Sequence, residues 1–175
     1  DELLDVLDEE GQLTGVAKPR KEIHQAGDWH QAVHAWIVSK RQRTVLLQQR
    51  VFTKKLFPGR FDISSAGHVQ AGHTAIQTAI QETEEELGLQ YPAEMFQHLG
   101  RLKHTIRVPT HAEVYRQYVD VFLIELADEI PLCDFKLQPE EVLQVVWVEW
   151  QDLRRRMEQG DPTLTDYDAP VQCFF

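Results

Sequence analysis

The stretch GHVQAGHTAIQTAIQETEEELGL, residues 67–89, decides how the rest of the chain is read. Its middle has a helical pattern. Ile76, Ala79, Ile80, Thr83 and Leu87 recur on a 3.6-residue period and make one stripe. Thr74 stands at a natural N-cap with Gln77 three residues on, the capping-box arrangement. Gly88 is placed to end the helix in a left-handed turn. Glu82, Glu84, Glu85 and Glu86 crowd that same end, where the helix dipole is already negative.

Glu82 and Glu86 are four residues apart and Glu82 and Glu85 three apart, so their side chains share a face, away from most of the stripe. Two carboxylates ~5–6 Å apart at an effective dielectric of ~20 repel by roughly 3 kcal/mol. The dipole adds roughly 0.3–1 kcal/mol against each. Residues 74–89 contain no Lys or Arg to relieve this. One reading is an acidic face screened by water and salt. The other is a divalent cation held by oxygen ligands, and the Gly67-His68 loop before a doubly capped helix favours it.

Working outward, ELLDVLDEEGQLTGVA reads as two short extended runs around a turn. QAVHAWIVS and TVLLQQRV are β-branched and aliphatic runs around KRQR, a hairpin pattern. KKLFPGRFDISSAGH carries a Pro58-Gly59 turn and then an extended piece. Beyond the helix, FQHLGRLKH, VYRQYVDVFLIEL and VLQVVWVEW read as strands, and WQDLRRRMEQ as a short amphipathic helix. The tail ends in Phe174 and Phe175, which are expected to dock on the body. Strands before, between and after two helices predict an α/β (α+β) fold, a mixed sheet sandwiched between helices.

No repeat, low-complexity run or linker divides the 175 residues, so one domain over 1–175 is expected. No stretch approaches the ~20 apolar residues of a membrane span. Only Cys133 and Cys173 are present, which points to a reducing, cytoplasmic setting rather than a disulfide framework. A net charge of −10 disfavours nucleic-acid polymers and acidic membrane surfaces as partners. It would also repel an anionic small molecule unless a cation mediates.

Residues 67–89 resemble the Nudix box, Gly-x5-Glu-x7-Arg-Glu-apolar-x-Glu-Glu-x-Gly-apolar. Gly67, Glu82, Glu85, Glu86, Gly88 and Leu89 match in register. HQAGDWHQAVHAWIV, LLQQR, KKLFPGRFDISSAGHV and PEEVLQVVWV are similar to the subgroup holding isopentenyl diphosphate isomerase and its hydrolase-like relatives. His73 stands where the family has Glu, Gln81 where it has Arg, and Thr83 where it has an apolar residue. The first two usually pair as a structural salt bridge, and here they could hydrogen-bond as neutral groups.

The resemblance implies a Nudix fold and hydrolysis of a diphosphate bond in a nucleoside diphosphate derivative or similar small molecule, with Mg²⁺ or Mn²⁺. Glu82 and Glu86 would be metal ligands, Glu85 a ligand directly or through water, and the carbonyl of Gly67 a further one. Glu82 or Glu85 would take the proton from water. Glu113, Glu140 or Glu141 could supply an extra carboxylate. Gln117 occupies a place where relatives carry a strand glutamate. Arg50, Lys54, Lys55, Arg60 and His68 are the candidates for the substrate's phosphates. Trp29 and Trp36 could stack on a base or sit in the core, and core is favoured for Trp36. The long apolar strand and apolar tail leave room for a homodimer.

Two rival functions stay open. The first is isomerisation of isopentenyl diphosphate, because His24, His30 and His68 fall near that enzyme's metal-binding histidines. Against it, Ala66 stands where the isomerase needs a cysteine, and Arg116 and Tyr118 fall where two of its strand glutamates are expected. The second is a non-catalytic Nudix module that binds a nucleotide or metabolite, which the changes at His73 and Gln81 favour.

Overall fold

The computed structural model describes residues 2–107 and 112–165. Leu3–Leu7 (β1) and Leu13–Pro19 (β2) form an antiparallel hairpin. Asp8 starts its turn by accepting the backbone N–H groups of Glu10 and Gln12. The chain then enters a helix that the sequence reading did not assign, Arg20–Ala26 (α1). Two helices were expected, and among the described residues three α-helices are present.

Trp29–Ser39 (β3) is the spine of the molecule. Along one edge it runs parallel to Val114–Leu126 (β8) over eleven residue pairs. Along the other it meets β1, Ser65–His68 (β6) and Thr44–Arg50 (β4) in turn. The β3–β4 hairpin forms, with Val38 opposite Val45, but most of β4 pairs with Val142–Glu149 (β9). Phe61–Asp62 (β5) pairs with β4, and Gln97–Arg107 (β7) pairs antiparallel to β8. The result is one mixed sheet.

Helices cover both faces of that sheet. Ala75–Leu87 (α2) lays Ala79 and Leu87 onto Val33, Ala35, Ile37, Phe122 and Ile124. Trp150–Glu158 (α3) lays Leu153 onto Trp36, Val38, Val119 and Val121 on the opposite face. Burying one such leucine contributes about 1.5–3 kcal/mol. The capping box on α2 is complete. Thr74 Oγ1 accepts the Gln77 N–H at 3.4 Å, and Gln77 Oε1 accepts the Thr74 N–H at 3.0 Å. Gly88 ends the helix at φ 72° with Lys136 so close that a Cβ would meet its Cβ at 2.5 Å, so two separate reasons require glycine there.

Among the described residues no helix is long and apolar enough to cross a membrane. Cys133 is a free, exposed thiol. The expected docking of Phe174 and Phe175, and Cys173, lie outside the described residues.

Candidate active site

A cleft with a volume of about 710 Å³ opens beside the acidic end of α2. It is lined by Glu2, α1, β3, the segment 50–56, β6 with Gln70 just after it, the acidic end of α2, the start of β8, and the loop before β9.

The acidic turn does not lie away from the apolar stripe as its spacing suggested. Glu86 is buried among Thr83, Leu87 and Ala79, while Glu85 is exposed and Glu82 intermediate. Two close approaches explain this. At Gly67 an added Cβ would lie 2.3 Å from the Glu82 carboxyl, so only a bare backbone lets the Glu82 side chain lie where it does against β6. The Glu86 carboxylate is met inside the protein by the Gln48 amide at 2.7 Å and the Ala66 N–H at 3.2 Å, both on Oε2. Thr83, at the box's apolar position, returns its hydroxyl to the Ala79 carbonyl at 2.7 Å and faces Ser65 at 3.4 Å, which lets it be fully buried.

Burial, then the neighbouring Glu85 charge, pushes Glu82 up to about 7. Burial, then Glu82, pushes Glu86 up to about 8. Two adjacent carboxylates thus resist carrying their charge together, which is the condition a divalent cation relieves. Oxygen donors from Glu82, Glu85, Glu86 and the Gly67 carbonyl suit a hard cation such as Mg²⁺ or Mn²⁺. The expected contact between Gln81 and His73 is replaced by another: the Gln81 amide donates to Glu85 at 2.8 Å, one helical turn on.

The sequence-predicted cations separate into two groups. Lys54, Lys55 and Arg50 line the cleft. Lys54 pairs with Glu141, Lys55 with Glu113 at 3.4 Å, and Arg50 with buried Asp62 at 2.9 Å. Arg60 is not among the cleft residues; it reaches the Leu164 carbonyl at 3.2 Å and lies over the Phe57 ring. Glu113 and Glu141 line the cleft and Glu140 does not. Trp36 lies in the core with α3, and buried Trp29 packs on Tyr118, so neither faces the cleft. Arg20 and Lys21, which line it from α1, were missed. The signals were Pro19 before the helix and Gly27 after it.

Three imidazoles cluster at the same cleft, which His24 and His68 line. The ring nitrogens of His24, His30 and His68 lie within 4.8 Å of one another and could together hold a cation that favours nitrogen ligands. Burial keeps all three neutral, with His24 down to about 3, His30 down to about 4 and His68 well below its usual value. His30 Nδ1 faces the Asp28 carbonyl at 3.2 Å, so Nδ1 carries the proton and Nε2 the lone pair. Gln117 donates its amide toward Nε2 of both His68 and His30, at 3.2 and 3.4 Å. From β8 it is Tyr115 and Gln117 that reach this trio. Arg116 and Tyr118, read from sequence as standing where two strand glutamates of the isomerase fall, turn to the Trp29 side, while Gln117, read as a third such position, faces the histidines.

A family model described as the NUDIX domain matches residues 28–167. Nudix hydrolase 3 of Arabidopsis thaliana is 39% identical over 169 residues, covering 97% of this chain but 22% of that protein. An isopentenyl-diphosphate Delta-isomerase of Cutibacterium acnes is 30% identical over 155 residues, covering 87% of this chain and 76% of the isomerase. Among solved structures, DR0079 from Deinococcus radiodurans superposes with a TM-score of 0.71 at 20% identity, over 99% of this chain and 100% of that one. The sheet held between helices is therefore the Nudix fold, and the chain belongs to the Nudix family.

Proposed function

We propose that this chain is a metal-dependent pyrophosphohydrolase that cleaves the diphosphate bond of a small molecule, a nucleoside diphosphate derivative or a similar compound. The observation that carries the proposal is the pair Glu82 and Glu86. Glu82 lies against the bare backbone of Gly67 and Glu86 is held inside by Gln48 and the Ala66 N–H; burial first, then a neighbouring carboxylate (Glu85 for Glu82, Glu82 for Glu86), raises both above the usual carboxylate range. Glu82, Glu85, Glu86 and the Gly67 carbonyl would hold Mg²⁺ or Mn²⁺. Such an ion, when bound, neutralises phosphate oxygens and acidifies water.

The chain's own groups divide the remaining work. Glu82 or Glu85 accepts the proton of the attacking water, Glu85 being the more open to solvent. Lys54, Lys55, Arg20 and Lys21 offset the charge of the diphosphate in a protein of net charge −10. His68 meets the substrate as a neutral group. The histidine trio is the observation that favours isomerisation of isopentenyl diphosphate instead. Ala66 opposes it, because no thiol stands beside Gly67 to move a proton at carbon.

A panel of diphosphate compounds assayed with Mg²⁺ and Mn²⁺, reading release of phosphate or nucleoside monophosphate, tests the proposal. Glu86→Gln is expected to lower turnover by at least ~10²-fold with its circular dichroism unchanged. Comparable turnover in the variant would overturn the assignment.

A further inference from the structure

We infer that Gln48 is the positioning residue for Glu86: its neutral amide fixes one carboxylate oxygen inside the protein and so aims the other at the bound cation. The inference rests on the metal-binding reading given above.

Gln48 lies in β4 and is 4% exposed. Its backbone is pinned on both sides, opposite Asp62 of β5 and Val145 of β9. Its side chain reaches α2, where Nε2 donates to Glu86 Oε2 at 2.7 Å and to the Ser64 carbonyl at 3.2 Å. Both amide hydrogens therefore have acceptors. Ser64 is itself fixed, donating its hydroxyl to the Leu46 carbonyl at 2.6 Å and accepting the Ile37 N–H at 2.8 Å. The Ala66 N–H adds a second donor to Glu86 Oε2. Among the described residues none donates to Oε1, and Glu86 lines the cleft, so Oε1 is the oxygen left to face it.

The chemistry explains an amide in this place. A lysine or arginine here would neutralise the carboxylate and weaken its hold on a cation. An apolar residue would leave a buried carboxylate with one donor fewer and free to turn. An amide orients the group and leaves its charge intact. Partners that orient a ligand from behind are typically worth ~10–100-fold in metal affinity or activity.

The test measures Mn²⁺ binding directly, by calorimetry or by the paramagnetic resonance of free Mn²⁺, in wild type, Gln48→Met and Glu86→Gln. Methionine keeps the length and volume without an N–H. Wild type should bind, Glu86→Gln should lose binding, and Gln48→Met should bind ~10–100-fold more weakly. Turnover of Gln48→Met should recover when Mn²⁺ is raised, a split that a general loss of folding would not give. Wild-type affinity in Gln48→Met alongside lost binding in Glu86→Gln overturns the role of Gln48 and leaves the metal reading standing. Absence of binding in wild type, or full binding in Glu86→Gln, overturns both. A measurement on wild type covers the case in which Gln48→Met fails to fold. The side-chain amide resonances of Gln48 should shift when Mg²⁺ is added, and resonances that stay fixed at saturating Mg²⁺ overturn the inference.

Discussion

His34 shows how much a single buried ring can control. It stands in β3 on the cleft, 6% exposed, and burial followed by the nearby charge of His104 pushes it down to about 3. Its unfolded value lies near 6.5, so between those values the unfolded chain binds the proton and the folded chain does not. Stability from this group is therefore complete above about pH 6.5 and drains as pH falls through the window below it. At pH ~4 the loss is about 3 kcal/mol at most. Urea denaturation of wild type and His34→Leu between about pH 7 and about pH 4 should show the variant losing less stability on acidification. Parallel decline would mean that His34 titrates normally in the fold. The same scale shows where the sequence is hard to read. Period-two alternation predicts that β8 sends alternate side chains to opposite faces, but Tyr115, Arg116, Gln117 and Tyr118 are all compatible with either phase. Only pairing with β3, where Gln117 lies opposite His30, settles which pair meets the histidines.

Among elements, β6 and α2 meet at Gly67, where the Glu82 side chain lies against bare backbone. The glycine is legible in the sequence as the first residue of the box, and the structure supplies its physical reason, since a methyl group there would occupy the Glu82 carboxyl. Gly67→Ala keeps the backbone carbonyl and forces the Glu82 side chain aside. Turnover should fall by ~10²-fold, as displacement of a reacting group by about 1 Å typically does. Thermal unfolding should move little, because the clash is with the end of a flexible side chain. Retained turnover in Gly67→Ala would show that Glu82 is not needed where the structure puts it. Other elements differed in how visible they were. α2 carries a stripe, a capping box and a terminal glycine, all readable in advance. α1 has seven residues and only Ile23 as a large buried anchor, so its apolar pattern is too short to show a period. That loss matters for the site, since Arg20, Lys21 and His24 all come from it.

For the whole molecule, the acidic turn sets a tension between stability and function. Folding brings Glu82, Glu85 and Glu86 together within a chain of net charge −10, and no distant screening offsets a buried pair well. A cation that binds only the folded state adds RT ln(1 + [M]/Kd), about 2.7 kcal/mol at a hundredfold excess over Kd. For a protein of this size that is about 5–10 °C in Tm. The melting temperature of wild type should therefore climb with the logarithm of Mg²⁺ or Mn²⁺ concentration, while sodium chloride at matched ionic strength leaves a much smaller rise. Glu82→Gln/Glu86→Gln should behave in the opposite manner at each end of the titration. Without metal it should melt above wild type, because two buried carboxylates have been replaced by neutral amides. With metal it should stay flat, so that the two curves cross. An equal rise in both proteins would place the cation elsewhere, with the histidine trio of His24, His30 and His68 as the next site to mutate.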